Sequence, residues 1–210
     1  MNTQRGPRRA TTRRNTITDV ADVAWEEELE DLEVIPEIDY KIGDHVVYPH
    51  HGAGKVLKKE LRKVLGLKRE YLTIKIIHNE MTVMVPCENA SKAGLRRIID
   101  EEEVERVIAV LRDDVSSMPK NWNRRFKHNR DKIKTGDVFE LAEVVRNLAI
   151  READKGLSTG EKQMFTRAKK VLASELTYAL EMEEGDAEAH IDSLIVEAQA
   201  VRDGDGQAAA

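Results

Sequence analysis

Two changes of texture along the chain predict an α+β fold, in which a small antiparallel β-barrel precedes an all-α helical domain and a charged arm precedes both. Between Tyr40 and Arg97, short runs of β-branched residues are broken by Gly and Pro at intervals too short for crossover helices. After Asp100 the apolar residues recur at helical spacing instead. In front of both, residues 1–16 hold five arginines and no acid, and residues 19–39 hold ten acids and no base.

From the N-terminus, residues 1–38 are expected to form a largely disordered, charge-segregated arm, since so few apolar groups cannot offset the entropy of ordering the chain. Within its acidic half, Trp25, Leu29 and Leu32 fall at helical spacing. A short amphipathic helix would form there under a partner but not alone. Docking on this protein's own basic surface, binding another protein, and a plain solvated tail all remain open for this strip.

Residues 39–98 read as the barrel. His45-Val46-Val47-Tyr48, Glu70 to Ile77 and Met81 to Pro86 are its strands, punctuated by Gly43-Asp44, by Pro49 to Gly54, by Gly66 and by His78-Asn79-Glu80. Between Lys41 and Arg97 there are twelve bases and five acids, so this module suits nucleic acid or an acidic protein surface.

Residues 101–202 read as a helical bundle. Val104, Val107, Ile108 and Leu111 mark one amphipathic helix, and Val138, Leu141, Ala142, Val145, Leu148 and Ala149 mark another. Ser158-Thr159-Gly160-Glu161 has capping-box spacing and opens a long helix carrying Met164, Ala168, Val171, Leu172, Leu176 and Ala179. Asp186 is expected to cap a last helix with Ile191, Leu194, Ile195 and Ala198 on one side, and residues 203–210 to form a frayed tail.

Composition narrows the function classes. A single cysteine, Cys87, excludes an intrachain disulfide and points to a reducing cytoplasm. No run approaches the length of a membrane span, and the Arg-rich start lacks the apolar stretch of a signal peptide. No Walker loop or G-x-G-x-x-G occurs, so nucleotide binding of those types is unsupported. Adjacent His50 and His51 on a turn aim poorly at one ion and lack partners at ligand spacing, so no metal or other cofactor is expected. Cys87 follows a Val-rich strand and Pro86, where a small buried hydrophobe fits better than a nucleophile, so no catalytic residue is assigned.

The segment between the first two helical stripes carries the chemistry. From residue 116 to 135 there are seven Lys or Arg against the single acid Asp131, although the whole chain has a formal charge of -5. Cations neutralise phosphates without regard to sequence, and a flat ring such as Trp122 can wedge against an unstacked base step. Alternatively, Trp122, Phe126 and Ile133 form the buried face of a short helix, which their spacing alone favours.

Four motifs in order then resemble one family. They are Tyr40-Lys41-Ile42-Gly43-Asp44 with Val47-Tyr48-Pro49-His50-His51-Gly52, Val85-Pro86-Cys87-Glu88-Asn89-Ala90, Asn121-Trp122-Asn123-Arg124-Arg125-Phe126, and Gly156-Leu157-Ser158-Thr159-Gly160-Glu161-Lys162. Over about residues 40–200 the chain is similar to the bacterial CarD-like (CdnL) transcription regulators. The resemblance implies a Tudor/SH3-like barrel that docks on the RNA polymerase β subunit, and a helical domain that contacts promoter DNA at the upstream edge of the melted bubble. It implies Trp122 as a minor-groove wedge, with Arg124, Arg125 and Lys127 beside it as DNA-binding cations. It implies Arg62 and Met84 as polymerase-binding positions. Some relatives carry arginine where this chain has Met84, so an apolar contact would replace a charged one, and Phe126 stands where a tyrosine is also found. A monomeric, non-enzymatic regulator that stabilises the open promoter complex follows. The alternative is a purely protein-binding adaptor without DNA contact.

Overall fold

The computed structural model describes residues 38–49, 51–64 and 66–208, with side chains as far as Val201. The expected arm, apart from its last residue Ile38, and His50 therefore lie outside the described residues; Ile38 packs against the core of the sheet. Five strands, β1 (His45–Tyr48), β2 (Gly52–Val64), β3 (Leu67–Ile76), β4 (Thr82–Pro86) and β5 (Arg96–Arg97), form one sheet in the order β4-β3-β2-β1-β5. Every pairing is antiparallel, as the short connections between β1, β2, β3 and β4 require, and β5 returns from beyond β4 to pair with β1. Leu72, Ile74 and Ile76 alternate inward on β3 and pack with Tyr40, Val46, Val56, Val85 and Leu95 into the core of the sheet. Tyr40 closes one end, its hydroxyl donating to the Leu95 carbonyl at 2.7 Å.

The long strand β2 departs from the reading of Pro49 to Gly54 as a turn. Gly52 and Gly54 lie inside the strand because other groups press on them. A Cβ on Gly54 would stand 2.6 Å from the Lys75 carbonyl oxygen of β3. The ladder shifts register between Val56 and Lys58, so the period-two signal that identifies a strand is broken in its middle. The two-residue β5 is too short to leave any periodic signal.

Five helices follow: α1 (Glu101–Arg112), α2 (Trp122–Thr135), α3 (Val138–Lys155), α4 (Thr159–Ala179) and α5 (Glu184–Ala208). Capping boxes start α1 at Asp100 and Glu103 and α4 at Ser158 and Glu161, while Asp137 caps α3. Gly136 ends α2 in the left-handed conformation that an L side chain resists. The helices bury Val104, Val107, Leu111, Leu141, Val145, Leu172, Leu176, Ile191 and Leu194 in one core.

Two expectations for the last helix change. It begins at Glu184, so Asp186 sits within the first turn, where its charge still complements the exposed backbone N–H groups. The helix also continues through Gly204 and Gly206 to Ala208, where a frayed tail was expected. Extending an existing helix adds a hydrogen bond for each residue ordered, which offsets the roughly 1 kcal/mol a glycine costs.

The described sheet and helices form one compact unit. Arg96 of β5 donates from Nη1 and Nη2 to the two carboxylate oxygens of Glu175, the second at 2.8 Å, and Glu175 also accepts from the Ile99 N–H at 3.3 Å. Nearby, the Ala53 N–H donates to Ser174 Oγ at 2.9 Å and His45 stacks on Tyr178 with ring centroids 4.0 Å apart. Gly52, at φ +86, leaves room for this joint: a Cβ there would stand 2.5 Å from Ser174 Oγ.

A candidate nucleic-acid interface at the start of α2

Asn121 starts α2 by accepting the Arg124 N–H on its side-chain oxygen at 3.2 Å, which makes Trp122 the first helical residue. The indole is 44% exposed, too much for a core residue, and this decides against the buried-face alternative for Trp122. Its ring stacks on Phe126, one turn along, with centroids 5.3 Å apart and an interplanar angle of 26°. Both rings rest near Gly160 in the first turn of α4, where a Cβ would lie 3.4 Å from Phe126 and 3.9 Å from Trp122.

A chain of hydrogen bonds holds the exposed ring. Trp122 Nε1 donates to Ser158 Oγ at 2.9 Å, and that hydroxyl donates to Glu161 Oε2 at 2.8 Å. Glu161 Oε1 in turn accepts from Arg125 Nε at 2.7 Å. Arg125 Nη1 returns to the loop before Trp122, donating to the carbonyls of Pro119 at 3.2 Å and Lys120 at 3.0 Å. Burial pushes the Glu161 carboxyl up, but hydrogen bonds from Arg125 and Ser158 outweigh it and hold Glu161 below the ordinary glutamate range. One carboxylate thus serves as helix cap, ion-pair partner and support for the tryptophan. Because its edge is already bonded and its face already stacked, the Trp122 ring has few conformers left to lose.

Arg125 is only 3% exposed and spends its donors inside the protein. The expectation that it contacts DNA is corrected accordingly: it stands on the inner face of α2 one turn before buried Asn129 and ties down the loop that leads into Trp122. Arg124 and Lys127 are exposed, with no side-chain partner among the described residues. Arg130 reaches only its neighbour Asp131 at 4.0 Å, while Lys132 is neutralised by Glu143 at 2.6 Å. Beside the rings a groove of about 380 Å³ runs between α2 and α4, with Ile133, Met164 and Val171 on its floor and Arg130, Lys134 and Arg167 among its lining residues.

The other assigned positions lie on the sheet. Met84 pairs with Thr73 across β4 and β3, and Arg62 pairs with Arg69 across β2 and β3. Thr73 and Arg69 are separated by an even number of residues, so Arg62 and Met84 share the outer face of the sheet, roughly 13 Å apart along the strands. Met84 is 50% exposed on an edge strand, and Arg62 Nε donates to Glu60 at 2.8 Å. Leu61, Val64 and Leu67 stand exposed at the far end of the β2–β3 hairpin.

His51 stacks on Tyr48 with centroids 5.2 Å apart. The half-buried Cys87 thiol is pushed above its ordinary value by burial and by Glu70, against the pull of Lys59, which disfavours the thiolate. Among the described residues no cluster of three His, Cys, Asp or Glu could hold a metal ion, and no helix is long and apolar enough to cross a membrane. The structure places Trp122, Arg124 and Lys127 exposed at the start of α2, and it brings Ser158 and Glu161, which the sequence reading did not connect to Trp122, up against that ring as supports. The Ser-x-x-Glu spacing signalled them only as a cap.

A family model described as the CarD-like/TRCF RID domain matches residues 40–99, and one described as the CarD C-terminal domain matches residues 106–192. The putative transcription factor YdeB of Bacillus subtilis (strain 168) is 36% identical over 137 residues, covering 65% of this chain and 90% of that protein. The solution structure of the 72-residue N-terminal domain of Myxococcus xanthus CarD is 29% identical over 30% of this chain and 83% of its own, with a TM-score of 0.26. CdnLNt from the same organism is 35% identical over 31% of this chain and 93% of its own, with a TM-score of 0.27.

Proposed function

The chain belongs to the CarD-like family of transcription regulators, and from that premise we propose that it binds the RNA polymerase β subunit through its sheet and stabilises the open promoter complex with Trp122. The observation that carries this reading is the exposed indole, held by Ser158 and Phe126 and flanked by the exposed cations Arg124 and Lys127. In a protein with a net negative charge, a local basic surface around a fixed aromatic edge suits the minor groove of a distorted duplex.

The outer face carrying Arg62 and Met84 tethers the protein to polymerase as a monomer, which raises the local concentration of Trp122 near the upstream fork. Arg124 and Lys127 pair with backbone phosphates there and orient the ring without reading bases. Unstacking a base step costs a few kcal/mol, and the ring recovers part of that only when the step has opened. It therefore favours the open complex over the closed one by its differential affinity. A stacked base is worth roughly 1 to 3 kcal/mol, so the open fraction at an unstable promoter changes by about five- to a hundredfold. No covalent bond is made or broken, and the site of action is the cytoplasm.

The deciding experiment follows promoter opening in real time with purified cognate polymerase and a fluorescent base in the bubble. Intact protein should raise the open complex and Trp122→Ala should not. If neither changes opening while polymerase binding persists, the protein is an adaptor and the wedge reading fails.

A further inference from the structure

A second cleft, which shares Gln163 and Arg167 with the groove beside the rings, opens where two turns of the sheet meet the middle of α4. His51 from the β1–β2 turn and His78 with Asn79 from the β3–β4 turn form one wall, and Thr166, Arg167 and Lys170 of α4 form the other. Lys162 reaches its rim but is engaged by Glu152 at 2.8 Å. The cleft holds about 490 Å³, within the range of small-molecule sites, and no Asp or Glu lines it. Its walls do not float, because the Ala53–Ser174 hydrogen bond and the Arg96–Glu175 pair tie the sheet to α4.

The chemistry of the walls is one-sided. Arg167 and Lys170, three residues apart on one helix, bring two permanent charges within about 6 Å at their Cβ atoms. His78 Nδ1 is buried beside Gly52 and has no hydrogen-bond partner among the described residues. Burial holds the His78 imidazole below the ordinary histidine range, against the pull of Glu184. A neutral imidazole beside two cations can donate a hydrogen bond to an anion without itself needing a counter-charge. Both cations can reach one phosphate, and linked phosphates bring more charge to them and more acceptor oxygens to the histidine wall.

We propose that this cleft binds an anion carrying linked phosphates, with Arg167 and Lys170 as charge partners and His51 and His78 as hydrogen-bond donors. Free polyphosphate, including the polyphosphate of a nucleotide, matches the depth of the cleft, and successive backbone phosphates of a duplex offer the same chemistry from another source. Of these residues Arg167 also lines the groove beside the Trp122 and Phe126 rings, whereas His51, His78 and Lys170 do not, and anion binding in the cleft is read separately from open-complex stabilisation by Trp122.

The test titrates the full chain with inorganic tripolyphosphate by calorimetry at fixed ionic strength, beside orthophosphate and a short duplex. Saturable 1:1 binding of tripolyphosphate, tighter than orthophosphate, is expected, with a shift of the His78 imidazole resonances. The double variant Arg167→Ala/Lys170→Ala should weaken it about tenfold or more, since charge-assisted hydrogen bonds are lost. Both positions are exposed, so the melting temperature should hold. If duplex affinity is unchanged in the variant, the ligand is the free anion; if duplex and tripolyphosphate compete and weaken together, the phosphates are those of DNA. Absence of saturable binding, or equal tripolyphosphate affinity in wild type and variant, overturns the proposal.

Discussion

Replacing Arg125 by alanine separates a DNA contact from a structural strut. The substitution removes the 2.7 Å bond from Arg125 Nε to Glu161 and the two bonds from Nη1 to the Pro119 and Lys120 carbonyls. Glu161, only 1% exposed, keeps its bonds from Ser158 but loses its cation. Removing one partner of a buried pair typically costs about 3 to 5 kcal/mol, because the remaining charge is uncompensated. For a chain of this size each kcal/mol lowers the melting temperature by roughly 2 to 4 °C, so a fall of about 6 to 20 °C is expected. The loss should also depend on pH. Glu161 titrates below the ordinary value of 4.5 in the folded chain, so its pairing stabilises fully above that value and is lost as pH falls through the lower folded value. Wild type and Arg125→Ala should therefore differ most at neutral pH and converge under acid. Thermal unfolding followed by circular dichroism across this range measures both effects. An unchanged melting temperature with weakened duplex binding would refute the assignment and return Arg125 to the DNA-facing surface.

Other substitutions probe the remaining surfaces. Trp122→Ala removes a half-exposed ring, so it should cost no more than about 1 to 2 kcal/mol of stability while abolishing the gain in open complex; global unfolding in a thermal melt would contradict this. Arg124→Glu with Lys127→Glu should weaken DNA binding uniformly across sequences and lower the salt slope by about 2, as read from titrations at several salt concentrations; an effect confined to one sequence would show base readout instead. Met84→Glu, at a position 50% exposed, should leave the melting temperature alone and reduce retention by immobilised polymerase β subunit, whereas unchanged retention would move the docking face elsewhere. Gly52→Ala should destabilise by more than about 1 kcal/mol in urea, since φ +86 resists an L side chain and the new Cβ would meet Ser174 Oγ at 2.5 Å; an unchanged midpoint would show that the joint yields.

The sequence by itself determined the order of most elements, because those were written in local signals. Period-two runs placed β1, β3 and β4, helical periodicity placed α1, α3 and α4, and Ser158 with Glu161 announced the start of α4. Four motifs in register identified the family and with it the exposed cations Arg124 and Lys127. Only the tertiary structure decided which basic residue of the Arg124-Arg125 pair faces outward. Successive positions on a helix point about 100° apart, and which direction is inside depends on where α4 packs. The same holds for β2, whose glycines answer to the Lys75 carbonyl and to Ser174, groups far away in the chain. Spacing favoured a buried place for Trp122, since an aromatic stripe at helical period more often faces a core, and the structure decided otherwise. What settled it was a partner: Glu161 neutralises Arg125 inside, and that pairing leaves the indole bonded at its edge to Ser158 and open to solvent.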